Sequence, residues 1–419
     1  MKSRSLIIYA CFGLVMAGNI FGQDIRQEGP RYVAEIKKEF KTSAQGSLEM
    51  REITGDVTVK AWEQNKVEIL ETVNMEVFTM EEAKRVLEAC QASYSQTGDI
   101  ILVEGRERPR RSSDSHFRIS VPSRFNLDIG TSGGDLAISQ VKGTTKLRTS
   151  GGDVDLFETG GEVRASTSGG DVTVRSAEGR VSVKTSGGNL ELEGIKGALD
   201  GQTSGGNITL RGANQTVDLR TSGGNIDIID VTGAVVAKTS GGNVEVENTS
   251  GNVEVSTSGG DVVLRSIKGE IEASTSGGDV RATTLLGPAN LRTSGGDINV
   301  RDLMARLQAS TSGGTVSVEM TLADFSKPHD LSLSSSGGEV ELTIPAKLPA
   351  KIYAEIRLGD GWNWGERYDI QSDFPLRIER DDKGERAGRY IRGEGEINGG
   401  GDIISLRTSG GNIVIRKGR

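Results

Sequence analysis

The sequence has few of the residues that most domains use to anchor a core or to build a reactive site. Aromatic residues make up 4% of its 419 residues, and there are 2 cysteines and 2 histidines. Once a leader that carries Cys11 is removed, only Cys90 remains, so an internal disulfide bond is excluded. We expect Cys90 to be a small buried residue on a helix rather than a reactive thiol. Because His116 and His329 lie far apart in the chain, they predict neither a metal cluster nor a Ser-His-Asp set.

A basic surface is also missing. The chain has 50 basic and 58 acidic residues, which gives a net charge of −8. It has no basic cluster that is interleaved with aromatic residues, so we expect no nucleic-acid partner.

The only long apolar run lies at the N-terminus. Residues 1–22 have a charged start (Lys2 and Arg4), an apolar middle and a small-residue exit near Ala17 or Gly22. This pattern predicts a cleaved secretory signal peptide. Acylation at Cys11 and an uncleaved anchor are weaker alternatives, because the apolar stretch is short for either. We therefore expect an extracytoplasmic protein (periplasmic, surface-bound or secreted) whose mature chain has no transmembrane segment.

Glycine, by contrast, is abundant, with 58 copies. Much of it lies in the tetrapeptide T-S-G-G, which recurs eleven times with a constant step of 18 residues. A repeat without insertion or deletion is typical of a solenoid. The copies start at Thr131, Thr149, Thr167, Thr185, Thr203, Thr221, Thr239, Thr257, Thr275, Thr293 and Thr311.

Each repeat, numbered from its Thr, predicts two short strands. Branched aliphatic residues stand at position 6 and, with the exception of Ala282, at position 8, and polar residues lie between them. Positions 15 and 17 show the same alternation, for example Val253 and Val255, and position 11 is also apolar or small. Period-two alternation indicates strands with one buried face. We expect the glycines of T-S-G-G and of position 13 to supply turn angles that other residues reach only with strain.

The predicted fold is therefore all-β: a single-chain β-solenoid of the β-helix or β-roll kind, with 18-residue coils and right-handed coiling. Stacked coils bury a continuous aliphatic core that one coil cannot bury alone. The predicted segments are the signal peptide (1–22), N-terminal strands with a capping helix (23–125), the regular solenoid (126–345), and an irregular insertion with the final coils (346–419).

One helix is predicted, from Thr79 to Gln91. Thr79 and Glu82 form a capping box, and an apolar face containing Ala83 and Leu87 repeats at helical spacing. We expect this helix to cover the open end of the sheet stack, since an uncovered terminal coil would offer unpaired edges.

The repeat breaks after Val318. The next copy, Ser335–Gly338, comes six residues late, so we expect residues around Ala323–Asp330 to form a loop. Residues 346–392 leave the repeat, and Asn398–Asp402 with Thr408–Asn412 resume it.

Position 5 of the repeat is the most regular chemical feature, because Asp or Asn would stack along one edge of the solenoid. Such a ladder of hard oxygen ligands suggests a calcium site. The alternative is structural, because Asp and Asn favour turns by bonding backbone groups, and neutral Asn in the middle coils relieves repulsion without a metal. The aspartates of the calcium hypothesis are Asp135, Asp153, Asp171, Asp261, Asp279 and Asp297.

Two other features suggest ligand contacts. Thr at position 1 and Ser at position 2 form hydroxyl ladders, which we expect to be structural, with the Thr methyl packed inward. Trp362, Trp364 and Tyr368 could stack on sugar rings or on a partner surface, or could seal the C-terminal side of the solenoid. The nearby Asp360, Glu366 and Asp369 give weak support for glycoside chemistry.

The combined pattern resembles the bacterial secreted family labelled "putative adhesin", whose function is unknown. The features that carry the resemblance are Gly55–Val59 followed by Trp62, the helix after the first strands, the T-S-G-G-[DN] coils, and the closing Ile397–Gly401 with Thr408–Ile415. The resemblance implies a β-solenoid outside the cytoplasm and no catalytic residues.

We therefore expect a non-enzymatic envelope or surface interaction module without a cofactor, whose partner is a glycan or an envelope protein. The alternatives are a carbohydrate-active enzyme or glycan-binding protein on a parallel β-helix, and a calcium-stabilised rod. Enzymes of that kind generally need long loops to wall a cleft, and here only residues 319–392 could supply one.

Overall fold

The computed structural model describes residues 19–106, 113–358, 368–381 and 389–418, with side chains from residue 24 onward. The chain divides into two compact units, Met1–Arg180 and Val181–Arg419. The described part is almost entirely β-structure, with one short helix. The predicted all-β solenoid is therefore confirmed, while its handedness and the predicted segment boundaries stay predictions.

The described residues of the first unit form one helix and a series of short strands. They are β1 (Asn19–Glu28), β2 (Arg31–Lys41), β3 (Ser47–Ile53), β4 (Asp56–Trp62), β5 (Lys66–Met75), α1 (Met80–Cys90), β6 (Ser93–Thr97), β7 (Ile100–Glu104), β8 (Ser113–Pro122), β9 (Asn126–Thr131), β10 (Leu136–Ser139), β11 (Thr145–Arg148), β12 (Val154–Thr159), β13 (Val163–Ser166) and β14 (Val172–Ala177).

These strands form two sheets. Sheet A has the order β1-β2-β5-β8-β4-β10-β12-β14, and sheet B has the order β6-β7-β3-β9-β11-β13. The outer strands pair antiparallel, whereas β8-β4-β10 and β7-β3-β9 already pair parallel. The coil β3–β4 is thus a rung of the ladder that lies next to β9–β10, although residues 63–125 separate them in sequence.

Helix α1 packs on the face of the outer strands. Thr79 accepts the N–H of Glu82 at its N-terminus, at 3.2 Å, as the capping signal predicted. The buried residues Ala83, Leu87 and Cys90 contact a cluster on β2 and β5 that includes Ile36 and Val73. The helix therefore covers the apolar face of the outermost strands, and Ile25 of the edge strand β1 packs against the same cluster.

Strand β1 begins within the predicted signal segment. The backbone of Asn19 pairs with Glu39, and the pairing continues to Glu28. Residues 1–18 lie outside the described residues, so the signal peptide stays a prediction. Of its two predicted exits, the one near Ala17 leaves β1 intact. No helix in the described part of the chain has the length and apolarity needed to cross a membrane.

The second unit consists of strands among its described residues. They are β15 (Val181–Lys184), β16 (Leu190–Ile195), β17 (Leu199–Gln202), β18 (Ile208–Ala213), β19 (Val217–Arg220), β20 (Ile226–Val231), β21 (Val235–Lys238), β22 (Val244–Thr249), β23 (Val253–Ser256), β24 (Val262–Ile267), β25 (Ile271–Ser274), β26 (Val280–Leu285), β27 (Ala289–Arg292), β28 (Ile298–Leu303), β29 (Leu307–Thr311), β30 (Val316–Met320), β31 (Leu331–Ser335), β32 (Val340–Pro345), β33 (Ala350–Leu358), β34 (Ile370–Ser372), β35 (Arg377–Asp381), β36 (Arg389–Ile397), β37 (Asp402–Thr408) and β38 (Ile413–Gly418).

The even-numbered and odd-numbered strands of the regular coils stack into separate parallel sheets. Sheet C runs from β16 to β32 and then continues with β38 and β34. Sheet D runs from β15 to β31 and continues with β37, β33, β36 and β35. Equivalent repeat positions pair with each other, for example Val244 with Val262, so the predicted register is confirmed.

The core of each coil comes from five positions. The side chains at positions 6, 8, 11, 15 and 17 are buried, as in Val244, Val246, Thr249, Val253 and Val255. The first strand of a typical repeat covers positions 6–11, as in Val244–Thr249. Short aliphatic side chains stacked over one another therefore form the core.

At the end of the second unit, the order of the strands in the sheets differs from their order in the chain. Residues 321–330 form the predicted loop, and the final coil β37–β38 pairs directly with β31–β32. The inserted strands β33 and β34 pair on the far side of that coil. The last coil is thus held between the twelfth T-S-G-G-type coil and the insertion, and the insertion covers it.

The predicted role of the turn glycines is wrong. The glycines of T-S-G-G and of position 13 have no positive φ angle in the structure. A Cβ at Gly242, at position 4, would instead come closer than 3.0 Å to the carbonyl oxygen of Gly224, and one at Gly251, at position 13, would meet Gly233 in the same way. These positions need glycine because the backbone of the preceding coil lies against them.

The strained backbone angle lies at position 10. Its φ is between 53° and 76° in ten consecutive coils, which turns the chain so that position 11 points inward. Only two of these residues are glycine. The residues are Gln140, Glu158, Ser176, Gly194, Gly212, Asp230, Asn248, Ser266, Thr284 and Asp302.

Candidate functional site

The Asp/Asn ladder is a hydrogen-bonded structure between coils. The Oδ1 atom at position 5 accepts the backbone N–H of position 5 in the next coil, for example Asn225 from Asn243 at 2.8 Å. In the first unit the acceptors are Asp56, Asp135 and Asp153, and in the second unit they are Asn189, Asn207, Asn225, Asn243, Asp261, Asp279 and Asp297. This geometry fits the structural alternative to a calcium site, because each side chain hydrogen-bonds the backbone of the neighbouring coil.

The pKa of Asp261 reflects the same hydrogen bonding between coils. The backbone N–H of Asp279, and after it the Arg281 side chain, hold the pKa of the Asp261 carboxyl below its ordinary value. Arg281 bridges Asp261 at 2.7 Å and Asp279 at 2.6 Å. Within the described residues, no group of three or more His, Cys, Asp or Glu side chains is arranged to hold a metal ion. The calcium hypothesis stays a prediction without such a group to support it.

The Thr ladder links successive coils through the same corner. Thr239 Oγ1 donates to the carbonyl oxygen of Gly224 at 2.9 Å and accepts the N–H of Gly242 at 3.4 Å. The threonine is buried, as the alternation predicted. The hydroxyl therefore satisfies turn backbone, and the position-1 ladder does not form an exposed hydroxyl face.

The predicted aromatic site is only partly described. Trp362 and Trp364 lie outside the described residues, as do Asp360 and Glu366. Tyr368 is half-buried. Asp369, the third acidic residue of the glycoside hypothesis, forms an ion pair with Arg380 at 2.6 Å.

The structure presents a different ligand-sized surface on sheet D. A depression of about 580 Å³ lies over β31, β37, β33 and β36. We call it, together with its neighbour described below, the sheet D trough. Its lining residues are Ser332, Tyr353, Ala354, Glu355, Arg392, Glu394, Ile403, Ser405 and Arg407.

Strand alternation sets the outward side chains of this trough. Ile352, Ala354 and Ile356 of β33 point into the core, so Tyr353 and Glu355 face outward. Tyr353 is 43% exposed, and Ile403 on β37 is 53% exposed. Tyr353 lies opposite Ser405 on one side and Glu394 on the other. A large ring is thus held on a rigid strand between hydrogen-bonding groups.

An ion-pair network fixes one wall of the trough. Glu355 accepts from Arg357 and Arg392, each at 2.8 Å, and the Arg392 guanidinium stacks on the Tyr390 ring at 3.8 Å. Burial acts to raise the pKa of Glu355, but the two arginine hydrogen bonds outweigh it and hold the pKa below its ordinary value. Arg407 is exposed, lines the trough and lies opposite Glu355 in the pairing of β33 with β37.

His329 connects the starts of β31, β33 and β37, which are three of the strands beneath the larger depression. It lies just before β31, and its backbone N–H donates to Asp402 Oδ2 at 2.7 Å. Its buried ring places Nδ1 at 2.8 Å from the carbonyl oxygen of Lys327 and Nε2 at 2.9 Å from that of Pro349. Since Pro349 precedes β33 and Asp402 begins β37, this histidine sets the position of the strands that carry Tyr353 and Ile403.

A second depression extends the trough. It measures about 350 Å³, lies over β27, β29 and β31, and shares Ser332 with the first. Asn290, Gln308 and Ser332 face outward in one row, which continues to Ser405 and Tyr353. The trough therefore runs across the strands.

Sequence reasoning missed Tyr353, Ile403, Arg407 and His329. One signal was present, because Ala350–Leu358 alternates apolar with polar residues and places Tyr353 on the polar side. The pairing of β33 with β37 places Ser405 opposite Tyr353 and Ile403 opposite Lys351, and it has no repeat signature in the sequence.

A family model matches part of the chain. The family model described as Toastrack DUF4097 matches residues 179–320 and 230–363. No curated protein matches the chain.

Two solved structures are similar in part. A putative adhesin from Bacteroides fragilis NCTC 9343 shares 11% sequence identity, with a TM-score of 0.26, over 62% of this chain and 96% of that chain. A putative cell adhesion protein from Clostridium sporogenes ATCC 15579 shares 8% identity, with a TM-score of 0.15, over 92% of this chain and 99% of that chain. The family match over residues 179–363 confirms the predicted resemblance to a solenoid family of unknown function.

Proposed function

We propose, from the premise that the repeat region is a Toastrack DUF4097 β-solenoid, that this protein is an extracytoplasmic interaction module that binds its partner without transforming it. The sheet D trough is the contact surface. The predicted signal peptide supports the location, and the proposal of Trp362, Trp364 and Tyr368 as further contacts stands beside it.

We base this proposal on the exposed side chains of Tyr353 and Ile403, which line the same depression over sheet D. The outward positions of the regular coils are mostly small or charged, as in Thr209 and Glu245. An aromatic ring that is 43% exposed beside an isoleucine that is 53% exposed departs from that composition. Aromatic residues anchored on a rigid element contribute much of the binding energy of recognition surfaces.

The Glu355 carboxylate favours binding over hydrolysis. Glycoside hydrolysis needs one carboxyl whose pKa is raised, so that it can protonate the leaving group. Two arginines instead hold the pKa of Glu355 below its ordinary value. Glu355 therefore stays ionised at neutral pH and serves as an anchor for Arg392.

The test combines binding with turnover. The purified mature chain is incubated with a panel of envelope and plant polysaccharides, and both retention of the protein and release of new reducing ends are measured. We expect retention on at least one polymer and no new reducing ends. Tyr353→Ala should abolish retention, whereas Phe157→Ala, which removes a ring of similar exposure (46%) from sheet A, should not.

Two results would contradict the proposal. New reducing ends that persist across independent preparations would show that the protein is an enzyme. Retention that is lost equally in Phe157→Ala and Tyr353→Ala would remove the trough as the contact surface.

A further inference from the structure

We propose that the occupant of the sheet D trough is an uncharged, linear glycan that lies across the strands. This inference rests on the proposed function and names the ligand class of the same site. It follows from the length of the trough, the chemistry of its lining and the pairing of its strands.

The length fits a polymer rather than a small molecule. The two adjoining depressions cover six neighbouring strands in the order β27-β29-β31-β37-β33-β36. Five strand spacings of about 4.8 Å make a surface about 24 Å long. A linear chain of several sugar rings can span a surface of this length, whereas a small metabolite would leave most of it empty.

The lining offers both a stacking face and mixed hydrogen bonding. The Tyr353 ring and the Ile403 side chain supply apolar contact for the face of a sugar ring. Ser332 and Ser405 can each donate and accept, and the amide of Gln308 does the same. A sugar hydroxyl also donates and accepts, so it finds partners along the full row.

The charges of the larger depression balance. Two arginines (Arg392 and Arg407) and two glutamates (Glu355 and Glu394) line it. The smaller depression adds Glu270, Arg306 and Asp330. An anionic polymer would gain from the arginines but would meet these carboxylates along its length, so the lining favours an uncharged chain.

The strand pairing disfavours an extended peptide. Peptides that add to a sheet use the unpaired backbone groups of an edge strand. The strands beneath the trough are all paired on both sides, including β36 between β33 and β35. The trough therefore offers side chains and no free backbone ladder, which suits a glycan.

The experiment uses the purified mature chain and calorimetric titration. The probes are a set of neutral linear hexasaccharides of different linkage, a hexauronate of the same length, and the matching disaccharides. We expect at least one neutral hexasaccharide to bind, its disaccharide to bind at least about tenfold more weakly, and the hexauronate to bind more weakly still. Tyr353→Ala should weaken hexasaccharide binding by about tenfold or more, and Arg407→Gln by a smaller factor.

Matched controls lie on other faces. Phe157→Ala on sheet A and Arg301→Gln on sheet C should both leave the binding unchanged. Circular dichroism spectra identical to those of the parent chain exclude a folding defect. Binding of the hexauronate that exceeds that of every neutral hexasaccharide would overturn the ligand class.

An error in the ligand class and an error in the contact surface would give different results. If Tyr353→Ala abolishes retention on an envelope polymer but none of the neutral hexasaccharides binds, the ligand class is wrong and the contact surface remains. If hexasaccharide binding is unaffected by Tyr353→Ala, both the contact surface and the ligand class are wrong.

Discussion

A Cβ placed on Gly242 would lie less than 3.0 Å from the carbonyl oxygen of Gly224, one coil away. The same oxygen accepts the hydroxyl of Thr239 at 2.9 Å. These two contacts explain why Thr and the second Gly of T-S-G-G occur together. The threonine bonds the preceding coil, and the glycine lets that coil come close enough.

The two glycines of one copy should therefore respond differently to alanine. Gly242→Ala forces backbone against backbone, and we expect a loss of at least about 2 kcal/mol in the free energy of unfolding. Gly241→Ala is the matched control, since its nearest neighbour would be 3.5 Å away in ordinary contact. Denaturant unfolding of both variants measures the difference, and equal losses would contradict the close-approach explanation.

Relief of the strained angle at position 10 should stabilise the second unit. Ser266 has a φ of 57°, which side-chain-bearing L-residues rarely adopt. Ser266→Gly should raise the free energy of unfolding by about 0.5–1 kcal/mol. Ser274→Gly, in the regular strand β25, should lower it by a similar amount. A loss of stability in Ser266→Gly would show that the serine side chain matters more than the angle.

The ladder predicts a specific acid dependence. The pKa of Asp261 is lowered by the Asp279 N–H and by Arg281, so the carboxylate stabilises the folded state above its unfolded pKa of about 3.9. That contribution is lost as the pH falls through the folded pKa. Asp261→Asn keeps the Oδ1 acceptor but loses the charge, so it should be less stable than the parent chain near neutral pH.

Chemical denaturation at a series of pH values tests this dependence. The stability difference between Asp261→Asn and the parent chain should vanish in strong acid. Asn243→Ser, which alters a neutral rung of the same ladder, should show a difference that does not vary with pH. A constant difference for Asp261→Asn would argue against a stabilising charge.

The two histidines should differ in how much they contribute to the free energy of unfolding. His329 is buried, and its ring nitrogens lie within hydrogen-bond distance of the carbonyl oxygens of Lys327 and Pro349. His329→Ala removes this link and the buried ring, and should cost about 1–3 kcal/mol. His116 is 40% exposed between Asp56 and Asp114, and His116→Ala should change stability by no more than about 0.5 kcal/mol. Thermal unfolding of both variants checks the order, and a larger effect at His116 would contradict it.

Calcium should not be required for the fold. The Oδ1 atoms of the ladder already accept backbone N–H groups, as Asp261 does from Asp279 at 2.9 Å. The unfolding midpoint should therefore be the same with a chelator and with added calcium. A midpoint that falls on chelation and recovers with calcium would restore the calcium-stabilised rod.

The regular coils were predictable because buried and exposed side chains alternate along each strand. Val244 and Val246 alternate with polar residues, and a strand with one buried face requires that alternation. The helix cap at Thr79 was visible for the same reason, since the orphan N–H of Glu82 needs a local acceptor.

Long-range pairing limited what the sequence could predict. The strained angle was hidden because residues as different as Gln140 and Thr284 adopt it, so no residue type marks the position. The place of the final coil between β31 and β33 depends on contacts between segments far apart in the chain. The trough, which needs that arrangement to bring Tyr353 beside Ile403, could not be assembled from local patterns.

The most direct test of the contact surface is hydroxyl-radical footprinting of the mature chain with and without a retained neutral glycan. We expect the glycan to protect the Tyr353 ring and Ile403 from oxidation, while Phe157, of similar exposure, is labelled equally in both samples. Equal labelling of Tyr353 in the two samples, or protection at Phe157 alone, would contradict it.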